Sequence, residues 1–252
     1  MERRIYSVGL LTAAVISTVL SSPKFGIAFL AWVTPICLLV FFRRVGVRRK
    51  AVWVFPALML AHFLADLGVA PFPAPVLVLL SVYQSLLQLA VYGADAWVGR
   101  RTDIFWATLF FPSIAVALEY LNTVYGGGIW WSVANSQYGL SWLTQLASVT
   151  GIWGISFLLY WTASVTVWMF GRRTVRERKL GWSIYGIVMA VVVVIGCVRY
   201  AGEGRSDRMV MVAGVTVPLG KLYETFYSDY AGRHIVVNPR ASVTDPVMGL
   251  VG

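Results

Sequence analysis

The chain has 252 residues, of which 58% are hydrophobic and only 13% charged, against roughly 45–50% apolar and about 25% charged in soluble globular chains. That balance excludes a soluble fold for most of the chain and assigns it to lipid. The net charge of +10 raises nucleic acid as a partner, yet the basic residues cluster between apolar stretches, at Arg3 and Arg4, Arg43 to Lys50, Arg100 and Arg101, and Arg172 to Lys179. No basic, aromatic-interleaved stretch outside these clusters could form a groove, so nucleic acid is excluded.

Seven apolar segments follow in chain order, at residues 5–22, 25–42, 51–70, 76–92, 104–121, 146–170 and 181–200. A helix crossing a hydrocarbon core of ~30 Å needs about 20 residues, and a lone strand in lipid would leave its backbone unpaired. The expectation is an all-α polytopic membrane protein with seven transmembrane helices over residues 1–200, followed by a short outer tail over 201–252. The first segment resembles a signal peptide, but no clear small-residue cleavage site follows it and the next span opens at Phe25. It reads as a retained helix and a tight hairpin.

With the N-terminus inside, fourteen Lys and Arg residues fall in inner loops and only Lys24 in an outer loop before the tail. Basic residues are held back during insertion. The expected placement is multi-pass in a plasma (inner) membrane, N-terminus cytoplasmic and tail external. Cys37 and Cys197 each lie inside an apolar run without metal-ligand spacing; they read as small hydrophobes, and no metal or cofactor is expected.

Three ionisable residues stand out within spans. His62 and Asp66 are four apart on the third segment and share a helix face, with Asp66 near its outer end and Glu119 near the outer end of the fifth. Charge at membrane depth is costly and faces the bundle interior or water, which leaves structural and functional roles both open. The loop over 122–142 carries Gly126 to Gly128, Trp130, Trp131, Asn135, Gln137, Tyr138 and Trp142, and no charge. It is either an aromatic belt anchoring helix ends at the headgroup level or a surface that touches lipid headgroups or a lipidated substrate.

After Tyr200 the character changes. Residues 201–208 form a polar linker, 209–217 a β-branched strand ended by Pro218, 221–230 a short helix, and 235–237 a second strand before Asn238 and Pro239. Such a tail can hardly bury a core by itself, so it reads as the truncated start of an α/β domain.

Residues 143–159, where Gln145, Leu146 and Ala147 lead into Gly151, Gly154, Ser156, Phe157 and Leu158, resemble the pattern of the apolipoprotein N-acyltransferases. Ser22 to Gly26 with Ala31, Trp32 and Pro35 is similar to that family's first hairpin, and Glu119 to the acid ending its fifth helix. Gly128 through Gln137 resembles its Gly-Phe-Pro-Trp loop ending in Ser-Gln, without the proline. The resemblance covers about residues 1–217 and is specific around 128–159. It implies membrane helices followed by a nitrilase-like domain inserted before a last helix. It also implies transfer of a fatty acyl group from a phospholipid to the amino group of a lipoprotein's N-terminal cysteine, through a thioester on a catalytic Cys with a Glu base and a Lys at the oxyanion.

The candidate substrate-binding residues are Glu119, Trp130, Trp131, Asn135 and Gln137, and the implied partners are phospholipid and a lipoprotein N-terminus. No catalytic residue carries over. Arg240 follows Pro239 where the family's Glu should stand, and an Arg cannot take a proton at neutral pH. No cysteine follows Cys197, Lys221 comes too early, and no eighth apolar segment is present. The expectation is a truncated family member, inactive alone; the alternative is a non-catalytic scaffold that binds lipid or lipoprotein. A transporter is disfavoured, since no inverted repeat is visible.

Overall fold

A computed structural model describes residues 2–45, 51–70, 72–99, 101–102, 104–129, 131–171 and 174–202. Expectations for Trp130 and for the tail strands and helix after residue 202 lie outside these residues. The described residues form helices and turns, with no strand. Helices α1 (Glu2–Leu20), α2 (Leu30–Val45), α3 (Ala51–Asp66) and α4 (Ala74–Val98) come first. A 3-10 turn, Phe105–Leu109, runs into α5 (Phe110–Asn122), which widens into a π-helical turn at Thr123–Gly127. A second 3-10 turn (Val133–Gln137) and two one-turn helices, α6 (Ser141–Thr144) and α7 (Ala147–Thr150), precede α8 (Ile152–Met169) and α9 (Val175–Gly202).

Among the described residues, four stretches are long and apolar enough to cross a membrane: Ala74–Val98, Phe105–Tyr125, Ile152–Met169 and Val175–Ala201. Tyr6–Leu20, Leu30–Arg43 and Trp53–Asp66 are apolar but shorter.

Three sequence boundaries move. The sixth segment starts at Ile152 rather than 146, because Gly151 takes φ +65 and breaks the helix before it. The fourth runs on to Val98 and so carries Asp95 into the bundle at 1% exposure. The seventh begins at Val175, so Arg176, Arg178 and Lys179 stand on the first turns of a helix rather than in a loop. Its start is fixed by a capping box: the Thr174 amide donates to Glu177 Oε2 at 2.9 Å and the Glu177 amide to Thr174 Oγ1 at 3.3 Å.

Neighbouring helices run antiparallel. Thr34 on α2 bonds Ser17 on α1 at 2.8 Å, Gln84 on α4 bonds Asp66 on α3 at 3.1 Å, and Ser156 on α8 bonds Glu119 on α5 at 2.8 Å. The links 21–29, 67–73 and 123–151 therefore gather at one end of the bundle, called the loop end. An aromatic series crosses the interior: Phe42 stacks on Tyr92 at 5.6 Å, Tyr92 meets Phe111 at 5.0 Å, and Phe111 meets Tyr160 edge-on at 5.5 Å. In α9, Tyr185 joins α8 through Trp161 (5.3 Å) and the Thr162 hydroxyl (2.8 Å), and Gly196 admits the Trp142 carbonyl so closely that any side chain there would collide.

Candidate functional site

Glu119 stands one turn before the end of α5 and gathers four donors. Ser156 Oγ and Tyr160 OH on α8 donate at 2.8 Å each, Ser132 Oγ at 3.0 Å, and the Val133 amide at 3.4 Å. Ser132 Oγ also lies 2.9 Å from Ser156 Oγ and caps the 3-10 turn through the Ala134 amide. One carboxylate thus ties the 129–137 loop to both α5 and α8. The loop can turn back over the helix ends because Gly128 takes φ +63, a region that disfavours side-chain-bearing residues.

Beside this cage lies a cavity of about 250 Å³, walled by α1 to α5, α8 and the loop. Asn122 at its mouth and Phe111 at its floor stand on the same helix, about 16 Å apart at 1.5 Å per residue. The floor is aromatic: Tyr92, Phe111 and Tyr160. The α3–α4 wall is polar. His62 and Asp66 on α3 face Gln84 and Gln88 on α4; the Gln84 amide donates to Asp66 Oδ2 at 3.1 Å, and the buried His62 ring pairs with the Gln88 side chain. Two of the lining residues are held by Tyr83, whose hydroxyl donates to Asn122 Oδ1 at 3.0 Å and whose ring lies 5.7 Å from Trp131.

The candidate residues from the sequence separate here. Glu119, Trp131 and Asn135 line the cavity, and Asn135 is also held by its own bond to the Ile129 carbonyl at 2.6 Å. Gln137 does not line it. It is fully buried, accepting from Trp32 Nε1 at 3.0 Å and donating to the Ala28 carbonyl at 3.0 Å and to Ser136 Oγ at 2.7 Å, and so fastens the loop to the start of α2. Sequence reading missed Ser132, Tyr160, Gln84 and Gln88. Gln84 and Gln88 carried a signal in their four-residue spacing, which matches that of His62 and Asp66; Ser132 and Tyr160 carried none before Glu119 was placed.

The described residues form a helical bundle with four membrane-capable helices and a carboxylate-anchored cavity at one end. Residues 14–165 match the family model of the apolipoprotein N-acyltransferase N-terminal domain, a span that holds Glu119, its four donors and the cavity lining. The chain belongs to the apolipoprotein N-acyltransferase family. It is 31% identical over 114 residues to an apolipoprotein N-acyltransferase of Chlorobaculum tepidum, covering 44% of this chain and 20% of that protein. It is 25% identical over 185 residues to apolipoprotein N-acyltransferase 1 of Treponema denticola, covering 68% of this chain and 32% of that protein. The chain thus spans about a third or less of the length of these curated relatives.

Proposed function

We propose that this chain is the membrane domain of an apolipoprotein N-acyltransferase-like protein and holds a phospholipid at the loop end of its bundle for acyl transfer to a lipoprotein amino group. On this reading seven helices cross the plasma (inner) membrane, the N-terminus is cytoplasmic, and the loop end faces outward. The observation that carries it is the cavity: a polar mouth over an aromatic floor suits an amphiphile, and it lies inside the stretch that matches the family. Residues 1–252 bind and orient the lipid but do not cleave it, because no Glu, Lys and Cys set that matches the family's is present among them.

The test is photocrosslinking in nanodiscs with a phospholipid carrying a diazirine near its headgroup. Adducts at 119–136, abolished by an excess of unlabelled lipid, support the reading. Adducts confined to the outer faces of α4 and α9, as for any lipid-bathed helix, overturn it.

A further inference from the structure

We propose that the end of the bundle opposite the cavity holds the headgroup phosphate of an acidic phospholipid, where the turn after α4 meets the start of α9. This step rests on the proposed membrane crossing of α9 and not on a lipid in the cavity. The meeting is close: a Cβ on Gly181 would lie 3.2 Å from Phe105 Cδ2 and 2.7 Å from Trp168 Cζ3. Two basic segments thereby reach one surface. Residues 99–106 and 171–182 hold seven Lys or Arg, at 100, 101, 172, 173, 176, 178 and 179, against Asp103 and Glu177.

The positive-inside bias accounts for the sign of these charges but not for their arrangement. Glu177 is engaged in the capping box with Thr174. Among the described residues Arg101, Arg176, Arg178 and Lys179 have no carboxylate partner, whereas Arg43 has Asp95. Arg176, Arg178 and Lys179 also stand on the first turns of α9, the end at which the helix dipole disfavours cations. An anion beside them relieves that repulsion. Two of the guanidinium groups are already held: Arg101 lies 3.7 Å over the Trp97 ring, and Arg178 Nη2 donates to the Gly171 carbonyl at 3.2 Å. Groups fixed in this way lose less freedom when they bind.

The surroundings select a lipid over a free anion. Trp97, Trp106 and Trp182 are 57%, 63% and 59% exposed, and indole rings favour the headgroup level of a bilayer. Arg176 and Leu180 share a face of α9 that continues through Ile187, Val191 and Val194, all exposed. A phosphodiester fixed by the basic side chains lays its acyl chains along that face, which a free phosphate leaves uncovered. A zwitterionic headgroup brings its own cation against the arginines, so net negative charge is selected.

The purified full chain is titrated, by native mass spectrometry, with dioctanoyl phosphatidylglycerol, with dioctanoyl phosphatidylcholine and with inorganic phosphate. The glycerol lipid should bind about tenfold tighter than the choline lipid, the scale of two basic side chains beside an anionic headgroup. That preference should be lost in the combined Arg178→Gln and Lys179→Gln variant and reduced in Arg101→Gln. The combined Lys24→Gln and Arg199→Gln variant removes as much charge elsewhere and should keep it. Thermal melting checks folding, and Arg101→Gln decides the point should the Arg178→Gln and Lys179→Gln variant not fold.

An equal loss in the Lys24→Gln and Arg199→Gln variant shows attraction to bulk charge and overturns the site. Equal binding of the two lipids overturns it too, and a preference that survives in both site variants places the acidic lipid elsewhere. Saturable binding of inorganic phosphate, lost in the site variants while neither lipid is preferred, overturns the lipid as occupant. None of these outcomes moves the crosslinks at 119–136, and crosslinks confined to outer helix faces leave the glycerol-lipid preference in place.

Discussion

Arg43 on α2 and Asp95 on α4, 52 positions apart, face each other through two parallel bonds of 2.8 Å, Nε to Oδ2 and Nη2 to Oδ1. Asp95 is 1% exposed, and Arg43 Nη2 also reaches Ser164 Oγ on α8 at 3.5 Å. This pair closes the end of the bundle opposite the cavity. Breaking a buried pair leaves one charge without a partner, which costs about 3–5 kcal/mol, whereas replacing both charges by apolar groups can be neutral. Asp95→Ala should therefore lower unfolding stability in detergent by about that amount, and the combined Arg43→Met and Asp95→Leu variant should recover most of the loss. A double variant as unstable as the single one would show that the pair adds stability beyond satisfying its own charges.

Glu119 offers a second measurable dependence. Glu119→Ala strips the acceptor from Ser132, Ser156, Tyr160 and the Val133 amide together, and each buried donor left unpaired costs about 1–3 kcal/mol. Hydrogen exchange should accelerate across residues 129–137, with little change in α1. Asn135→Ala, which removes one bond to the Ile129 carbonyl, should give a much smaller effect. Equal exchange in Glu119→Ala and the wild type would mean the loop is held by the Gln137 latch rather than by the carboxylate.

The helices were legible in the sequence because lipid demands long apolar runs, and six of the seven segments overlie single helices or a 3-10 turn running into one. The boundaries failed where a charge had a partner that could not be read locally. The fourth segment, read as 76–92, ends short of Asp95, whose partner Arg43 lies 52 positions away. The sixth began too early because residues 141–150 are apolar, yet they fold as two single turns before Gly151. The site was half legible. Glu119, Trp131 and Asn135 do line one cavity, while Gln137, which looks equally exposed in a polar loop, spends its whole amide on Trp32, Ala28 and Ser136. Hydrogen bonds over a hundred residues of separation leave no trace in local composition.

Topology is checked by reporter fusions. Fourteen basic residues on one side of a seven-span arrangement, against Lys24 alone before the tail on the other, predict cytoplasmic signals at Arg101 and Gly171 and external signals at Ala74 and Gly139. A cytoplasmic signal at Gly139 would place the cavity mouth on the inner face and sink the orientation.

The last prediction concerns chemistry. Incubated with phospholipid and a diacylated lipopeptide, the purified chain of residues 1–252 should form neither an acyl-enzyme nor triacylated product. Thioester chemistry needs a thiolate beside a base, and the chain holds two cysteines. Cys37 is buried in α2 against the apolar core. Cys197 is exposed on α9, but its neighbours Val193, Val194, Ile195 and Val198 are exposed hydrophobics, the surroundings of a lipid-facing thiol away from the cavity lining. Arg240→Glu should not rescue activity, since a carboxylate base accelerates nothing without a nucleophile to activate. Intact-mass spectrometry of the wild type, Arg240→Glu and Cys197→Ala resolves the matter. An added acyl mass on the wild type that disappears in Cys197→Ala would make Cys197 the nucleophile and move the reacting centre onto α9.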